Sequence, residues 1–442
     1  MKLVKLSLLA AMLIGSTAFA IENTKVSGNA KLYYGTQDSD ASGAPDIFTK
    51  ESGYTNFSAR LDLTTDLTKG ISAGVGMQAV TTLGVEHNLV DKVWSNAHGA
   101  AGSTGASFAG GAQVESALWV DEVWLAGSAF DTTLKIGRQS LDTPLAFTET
   151  WGVDKNTFEA VVLINQSIEN TTLVATYIGK SNGSADDRTS TREGGAGSLN
   201  DLGLTAAGYV AQDGEFSTFG TNGTYAYGIV NNSIKELTLQ AWYYDMVRLA
   251  KAYWLQADVS VDGLLAGVQY ANTDIDKGAN LGSLGVIGAS KDTSAWSAML
   301  GYDIKDVALV KAAYSSVDDD GVLGMANTAT GSVATLGGQS KLYTEMWWNY
   351  GNVSAVGADS YSITAETTVG PDVALLAGYY FADVNPVGTA SDKEVTEVTV
   401  AASKSFGPLD TSLALIYADT DATNNANDVK TTDVQVYLTY NF

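Results

Sequence analysis

The chain has no cysteine in 442 residues, which rules out a disulfide framework and thiol or cysteine–zinc chemistry. Its two histidines, His87 and His98, lie in a Gly- and Ala-rich stretch where no strand pattern would hold an imidazole beside a serine. A mobile base is a poor catalyst, so no enzyme of the Ser-His-acid kind is expected. Basic residues are few, 25 against 49 acidic ones. Nucleic acid, whose phosphates call for clustered Lys and Arg, is therefore not an expected partner. Prolines number five, and no Pro or Ser run divides the chain into domains. Beyond the first residues no run of about 18 apolar side chains occurs, so no membrane-spanning helix is encoded.

The first 20 residues, MKLVKLSLLAAMLIGSTAFA, carry two lysines, an apolar stretch from Leu6 to Ile14 and small residues on both sides of Phe19. They read as a secretory signal cut after Ala20, since the apolar stretch is too short for an anchor. Its removal leaves 23 basic residues against 49 acidic ones, a net charge of −26 over a single domain at 21–442.

What the chain does have is glycine (46), tyrosine (21) and period-two alternation. Phe57, Ala59, Leu61 and Leu63 alternate with Ser58, Arg60, Asp62 and Thr64, the mark of a half-buried strand. Eight tight connections carry Gly, Pro, Asp, Asn or a Lys/Glu pair: TKG, FDT, IEN, SIKE, VDG, IKD, VGPD and FGPLD. Between them lie nine other connections, mostly long and rich in Gly, Ser, Asn and Asp. Seventeen connections join 18 strands, and short turns alternating with long loops are the arrangement of an all-β transmembrane antiparallel barrel of the outer membrane. A mean hydropathy near zero fits, because such a barrel alternates lipid-facing and water-facing residues. A solenoid would need a repeat of fixed length, and a sandwich two or three domains; neither is visible. Tyr and Trp near strand ends, as in AWYYD, KAYWL and AGYYF, suit interfacial girdles.

A barrel of about 18 strands encloses an aqueous channel, so something must narrow it. The third loop, 139–157, carries Leu141, Leu145, Phe147 and Trp151, which a loop standing in water has little reason to hold. Folded into the lumen, it would bury them and present Asp142, Glu149, Asp154 and Lys155 to the aperture. The seventh loop, 316–358, holds Tyr343, Trp347, Trp348 and Tyr350 around Glu345 and is the second candidate.

The blocks TLKIGRQSLDTPLAF, NTFEAVVLINQSIENTTLVATYIGK and GGQSKLYTEMWWNYG resemble the porins of epsilonproteobacterial outer membranes and, more distantly, the OprD-type channels. The resemblance implies a homotrimeric porin whose third and seventh loops fold inward, in contact with membrane lipid and lipopolysaccharide. It also implies a basic wall made of Arg138 with Arg60, Lys135 and Lys31. GVDKNTFEA departs from the OprD-type pattern, which weighs against specificity for carboxylate-bearing solutes. The acidic runs at 38–40, 186–187 and 318–320 point instead to a channel for small hydrophilic solutes and ions with mild cation preference. The constriction is expected to set Asp142, Asp154 and Glu345 across from Arg138. Ca2+ is a candidate ligand of the clustered carboxylates, although no EF-hand spacing is present. A surface adhesin, an OprD-like channel and, more remotely, a plugged transporter are the alternatives; no plug precedes the first strand at Val26.

The closing segment DVQVYLTYNF alternates Val434, Val436, Leu438, Tyr440 and Phe442 with polar residues. As strand 18 it must pair with Val26–Tyr34 so that no edge is left in lipid. Tyr440 and Phe442 resemble the terminal signal by which the barrel-assembly machinery recognises outer-membrane strands.

Overall fold

Why so ordinary a composition yields a membrane barrel becomes clear from the strand faces. The computed structural model describes residues 22–81, 116–182, 216–219, 222–276, 292–330, 338–386, 392–423 and 428–442. The proposed signal at 1–20, the loop at 83–114 with His87 and His98, and the Asp186–Asp187 pair lie outside the described residues.

Eighteen strands follow in chain order: β1 (Glu22–Ser39), β2 (Gly53–Thr68), β3 (Ile71–Thr81), β4 (Ser116–Ala129), β5 (Thr132–Gln139), β6 (Phe158–Ile168), β7 (Thr171–Ser181), β8 (Thr224–Ile234) and β9 (Leu237–Met246). The second half comprises β10 (Ala250–Val261), β11 (Leu264–Ile275), β12 (Thr293–Ile304), β13 (Ala308–Val317), β14 (Ala358–Val369), β15 (Val373–Val384), β16 (Lys393–Phe406), β17 (Leu409–Ala422) and β18 (Val429–Asn441). A two-residue strand at Ser217–Thr218 adds to the end of β7. Each strand pairs antiparallel with the next, and β18 pairs with β1, Val436 opposite Tyr34 and Leu438 opposite Leu32, so the sheet closes. Among the expected turns, Asp262 and Gly263 both take positive φ, 49° and 85°, the combination a two-residue hairpin of right-twisted strands requires.

The faces are inverted relative to a soluble barrel. On β10, Tyr253 and Leu255 are 45% and 50% exposed, whereas Ala252 and Trp254 are 0% exposed. Leu300, Ile363 and Val400 likewise stand on the outside at 50% or more. Apolar side chains placed outward in this number belong in hydrocarbon, where they cost nothing. Near the long-loop end they give way to rings that touch from strand to strand: Tyr177 and Tyr225 at 4.9 Å, Tyr243 and Tyr253 at 5.2 Å, Trp296 and Tyr314 at 5.1 Å. This is the interfacial girdle that the aromatic strand ends suggested.

The last residue is part of the seam. The Phe442 N–H donates to the Gly28 carbonyl (3.0 Å), and the Gly28 N–H donates to the Phe442 carbonyl (2.9 Å). A Cβ at Gly28 would lie 2.6 Å from the Phe442 ring and 2.2 Å from the Arg60 carbonyl oxygen, so only glycine fits. Gly28→Val is therefore expected to lower severalfold the fraction migrating as a folded barrel in unheated electrophoresis; an unchanged fraction would show that the seam tolerates a side chain there.

Candidate functional site

Both candidate loops fold into the lumen. Loop 3 (residues 140–157) turns back at its tip, where Asp142 bridges to Phe147 and the Thr148 N–H donates to the Leu141 carbonyl (2.8 Å). The tip reaches the β9 wall, where the Leu145 N–H donates to the Tyr244 hydroxyl (3.2 Å). The returning limb reaches β2: the Val153 carbonyl accepts from the Ser58 hydroxyl at 2.6 Å. Leu141, Leu145 and Phe147 are buried, as an inward loop of this composition requires.

Loop 7 (residues 318–357) is anchored by a residue that sequence reading did not single out. Glu397, an inward position of β16 that is 0% exposed, accepts the backbone N–H groups of Trp347 (2.9 Å), Trp348 (3.2 Å) and Asn349 (2.8 Å) and the Asn349 amide (2.9 Å). A carboxylate meeting three successive N–H groups forms strong charge-assisted bonds and fixes the loop across the channel. Its sequence signal was a lone acid among the inward residues Val395, Thr399 and Ala401 of a strand. Trp347 then donates its indole N–H to Gln435 of β18 (3.1 Å). Below it, a cavity of about 610 Å³ is lined by Asp303, Glu366, Leu376 and Ser403 among others.

The two loops are latched to each other. Asn327 of loop 7 donates its amide to the Phe147 carbonyl and to Glu149 Oε1, each at 2.9 Å, and accepts the Phe147 N–H (3.2 Å). Thr330 also donates to Glu149 Oε1, and the Trp151 indole N–H donates to Oε2 (3.2 Å). Lys341 pairs with Asp142 at 2.9 Å and lies over the Phe147 ring. Trp151 meets Trp348 edge-on, 5.8 Å between ring centres. Burial pushes the Glu149 carboxyl up, and that of Glu345 well above the usual carboxylate range, against the pull of their hydrogen-bond donors. Such acids stabilise the folded loops most when protonated: the contribution is complete below the ordinary carboxyl pKa, about 4.3, and is lost as pH rises through the raised values. Current noise in single channels is therefore expected to grow with pH, and Glu345→Gln to flatten that dependence; identical profiles for the two proteins would refute the link.

The remaining site residues separate into three groups. Lys31, Arg60 and Lys135 stand on the lumen side of β1, β2 and β5, and Lys155 of loop 3 joins them. They are matched by carboxylates. Arg60 bonds Asp62 (2.6 and 2.8 Å), Asp121 and Glu122 (3.2 Å), Lys155 bonds Glu122, and Lys31 lies in the field of Asp154. Gly76 makes room for this network, since a Cβ there would be 2.6 Å from the Arg60 guanidinium. Lys135 covers the Trp124 ring at 4.3 Å. Glu149 and Asp154 are buried within or behind the loops and do not line an aperture, and Glu345 is half-buried, its carboxyl taken up by the Ser340 hydroxyl (2.5 Å) and N–H (3.1 Å). Arg138, finally, is not across from them. It shares the outward face with Leu134 and Ile136, bonds Glu159 (2.9 Å) and the Val120 carbonyl (2.7 Å), and lies under the Phe216 ring.

Comparison with solved structures agrees with this geometry. Acinetobacter baumannii OccAB1 superposes with a TM-score of 0.69 over 96% of this chain and 98% of its own, at 14% identity. The fold is that of an outer-membrane channel barrel. Pseudomonas aeruginosa OccK9 (OpdG) superposes with a TM-score of 0.66 over 95% of this chain and 99% of its own, and OccK3 (OpdO) with 0.62 over 95% and 96%, both at 13% identity. At such identities the likeness is one of fold. No family model and no curated protein matches the chain. The similarity to OprD-type channels is thus met at the level of architecture, while the epsilonproteobacterial resemblance rests on the sequence blocks alone. Among the described residues no three carboxylate or imidazole side chains come together to hold a metal ion. Of the acidic runs, Asp40 accepts the Lys430 N–H and Asp318 the Ser294 N–H, both as ordinary loop contacts.

Proposed function

We propose that the protein is an outer-membrane porin through which small hydrophilic solutes and ions diffuse passively, with mild preference for cations. The observation that carries the preference is the pairing on the lumen wall. Lys31, Arg60, Lys135 and Lys155 face Asp62, Asp121, Glu122 and Asp154, four bases against four carboxylates, so no unpaired basic ladder draws anions in. Across the lumen Lys311 pairs with Glu366 (2.7 Å), leaving Asp258 and Asp303 without an ion-pair partner among the described residues. Selectivity follows the fixed charge lining the narrow section, and here the uncompensated part is acidic. The same pairing argues against a channel dedicated to carboxylate-bearing solutes. Outward-facing Tyr440 and Phe442, 49% and 58% exposed, are open to recognition by the assembly machinery before the seam closes.

The test is the reversal potential across a KCl gradient in planar bilayers, where the cis–trans voltage should take the sign of K+ permeating faster than Cl−. A clear anion preference would refute the selectivity, and absence of stepwise conductance would refute the porin reading.

A further inference from the structure

Two half-buried leucines, Leu309 and Leu376, face the lumen, where the inward positions of a membrane barrel are ordinarily polar. Register places them on either side of one carboxylate. From β12 to β16 an inward row reads Asp303, Leu309, Glu366, Leu376 and Ala401, each residue directly opposite the next. Opposed side chains on one face of a sheet stand about 5 Å apart, so Glu366 has a leucine against each flank. The row nearer the short turns is built of small side chains, Thr368, Ala374, Ser403 and Ser412, again each opposite the next.

These small residues shape the cavity of about 610 Å³ beneath loop 7, which is within the size range of small-molecule sites. One end is closed by Trp347, which packs against the cluster of Ala401, Ala414 and Ile416 beside Leu376 and is tied to Gln435 through its indole N–H (3.1 Å). The other end carries Asp303 and Asp306, with Glu366 as the third carboxylate of the lining. Lys311 pairs with Glu366 (2.7 Å), but both side chains are partly exposed, and such a pair is weak enough to exchange for another cation. One base against three carboxylates leaves the cavity net acidic.

A carboxylate held between leucines, with a second acid beside it and an indole at the far end, suits a molecule that is positive at one end and apolar at the other. From this row and its cavity we propose that the β12–β17 wall of the lumen binds small amphipathic amines. The ammonium lies between Asp303 and Glu366, and the hydrocarbon tail runs across Leu376 toward the Trp347 ring. The head gains charge-assisted hydrogen bonds, and the tail leaves water together with the leucine it covers. An inorganic cation has no use for the leucines, and a carboxylate of the same shape is repelled. The inference rests on the water-filled lumen of the porin reading and adds to it a class of solute that the wall retains.

The test is isothermal titration of the folded protein in detergent micelles. Phenethylammonium should bind saturably, and phenylacetate, its anionic counterpart, should not. Asp303→Asn/Glu366→Gln should weaken the binding about tenfold. Ser403→Phe, which fills the cavity from an exposed position, should abolish it. Asp66→Asn, which removes a carboxylate of β2 outside the cavity, should leave it unchanged. Cavity variants that bind as the parent does, equal binding of phenylacetate, or the same loss in Asp66→Asn would overturn the site and reduce the signal to micelle partition or to the general field of an acidic lumen. Because the titration needs no current, absence of stepwise conductance would count against the porin reading alone, and conducting protein without saturable binding against the amine site alone.

Discussion

Glu149→Ala should widen and destabilise the channel. The Glu149 carboxyl group holds Asn327 and Thr330 of loop 7 from within loop 3, with Trp151 as the third donor, in a junction where Glu149 is 6% exposed. Removing the acceptor strands these donors away from water, a cost of about 1–3 kcal/mol for each fully buried one. The two loops have other contacts, including the Thr328 N–H on the Leu145 carbonyl (2.8 Å), but the polar centre of the latch is lost. Single-channel conductance should rise and become noisy, whereas Glu149→Gln, which keeps a carbonyl acceptor in place, should change it little. Conductance of Glu149→Ala equal to that of the parent would show that the latch does not set the aperture.

Arg60→Ala has the second large effect, on folding as well as on selectivity. Arg60 and Asp121 are both nearly buried, with side chains 9% and 1% exposed; Arg60 bonds Asp121 Oδ2, and Oδ1 has no hydrogen-bond partner. Deleting one member of a buried pair typically costs about 3–5 kcal/mol, because the other charge is left unpaired in a poor solvent. Asp62, Asp121, Glu122 and Asp154 would then stand against Lys31, Lys135 and Lys155, and the lumen wall would turn net acidic. The folded fraction should fall, and the channels that do form should prefer cations more strongly, seen as a larger reversal potential. Adding Asp121→Asn should restore much of the folded fraction. If the double variant were no more stable than Arg60→Ala, the buried pair would not be the source of the loss.

How far the site could be read beforehand differs from residue to residue. The inward fold of loop 3 was legible because Leu141, Leu145 and Phe147 are too apolar for a solvated loop, and each is buried. The side on which Arg138 lies was also legible, since Leu134, Ile136 and Arg138 share one parity; the basic-wall assignment followed the family resemblance instead and put it in the lumen. Glu397 showed only as a lone acid on the inward face of its strand, with nothing to name its partners, and Asn327 did not show at all. Their partners lie 48 and 178 residues away, and no local pattern marks a contact of that kind.

The sequence by itself determined the strand number, the alternation of short and long connections and the apolar outer face, because each depends on neighbours along the chain or on the period of two. Only the tertiary structure decided which carboxylates face water and which are buried as latches. Closure of the sheet brings distant loops together inside one lumen, and burial there, not residue type, determines whether an acid lines the channel or holds it shut.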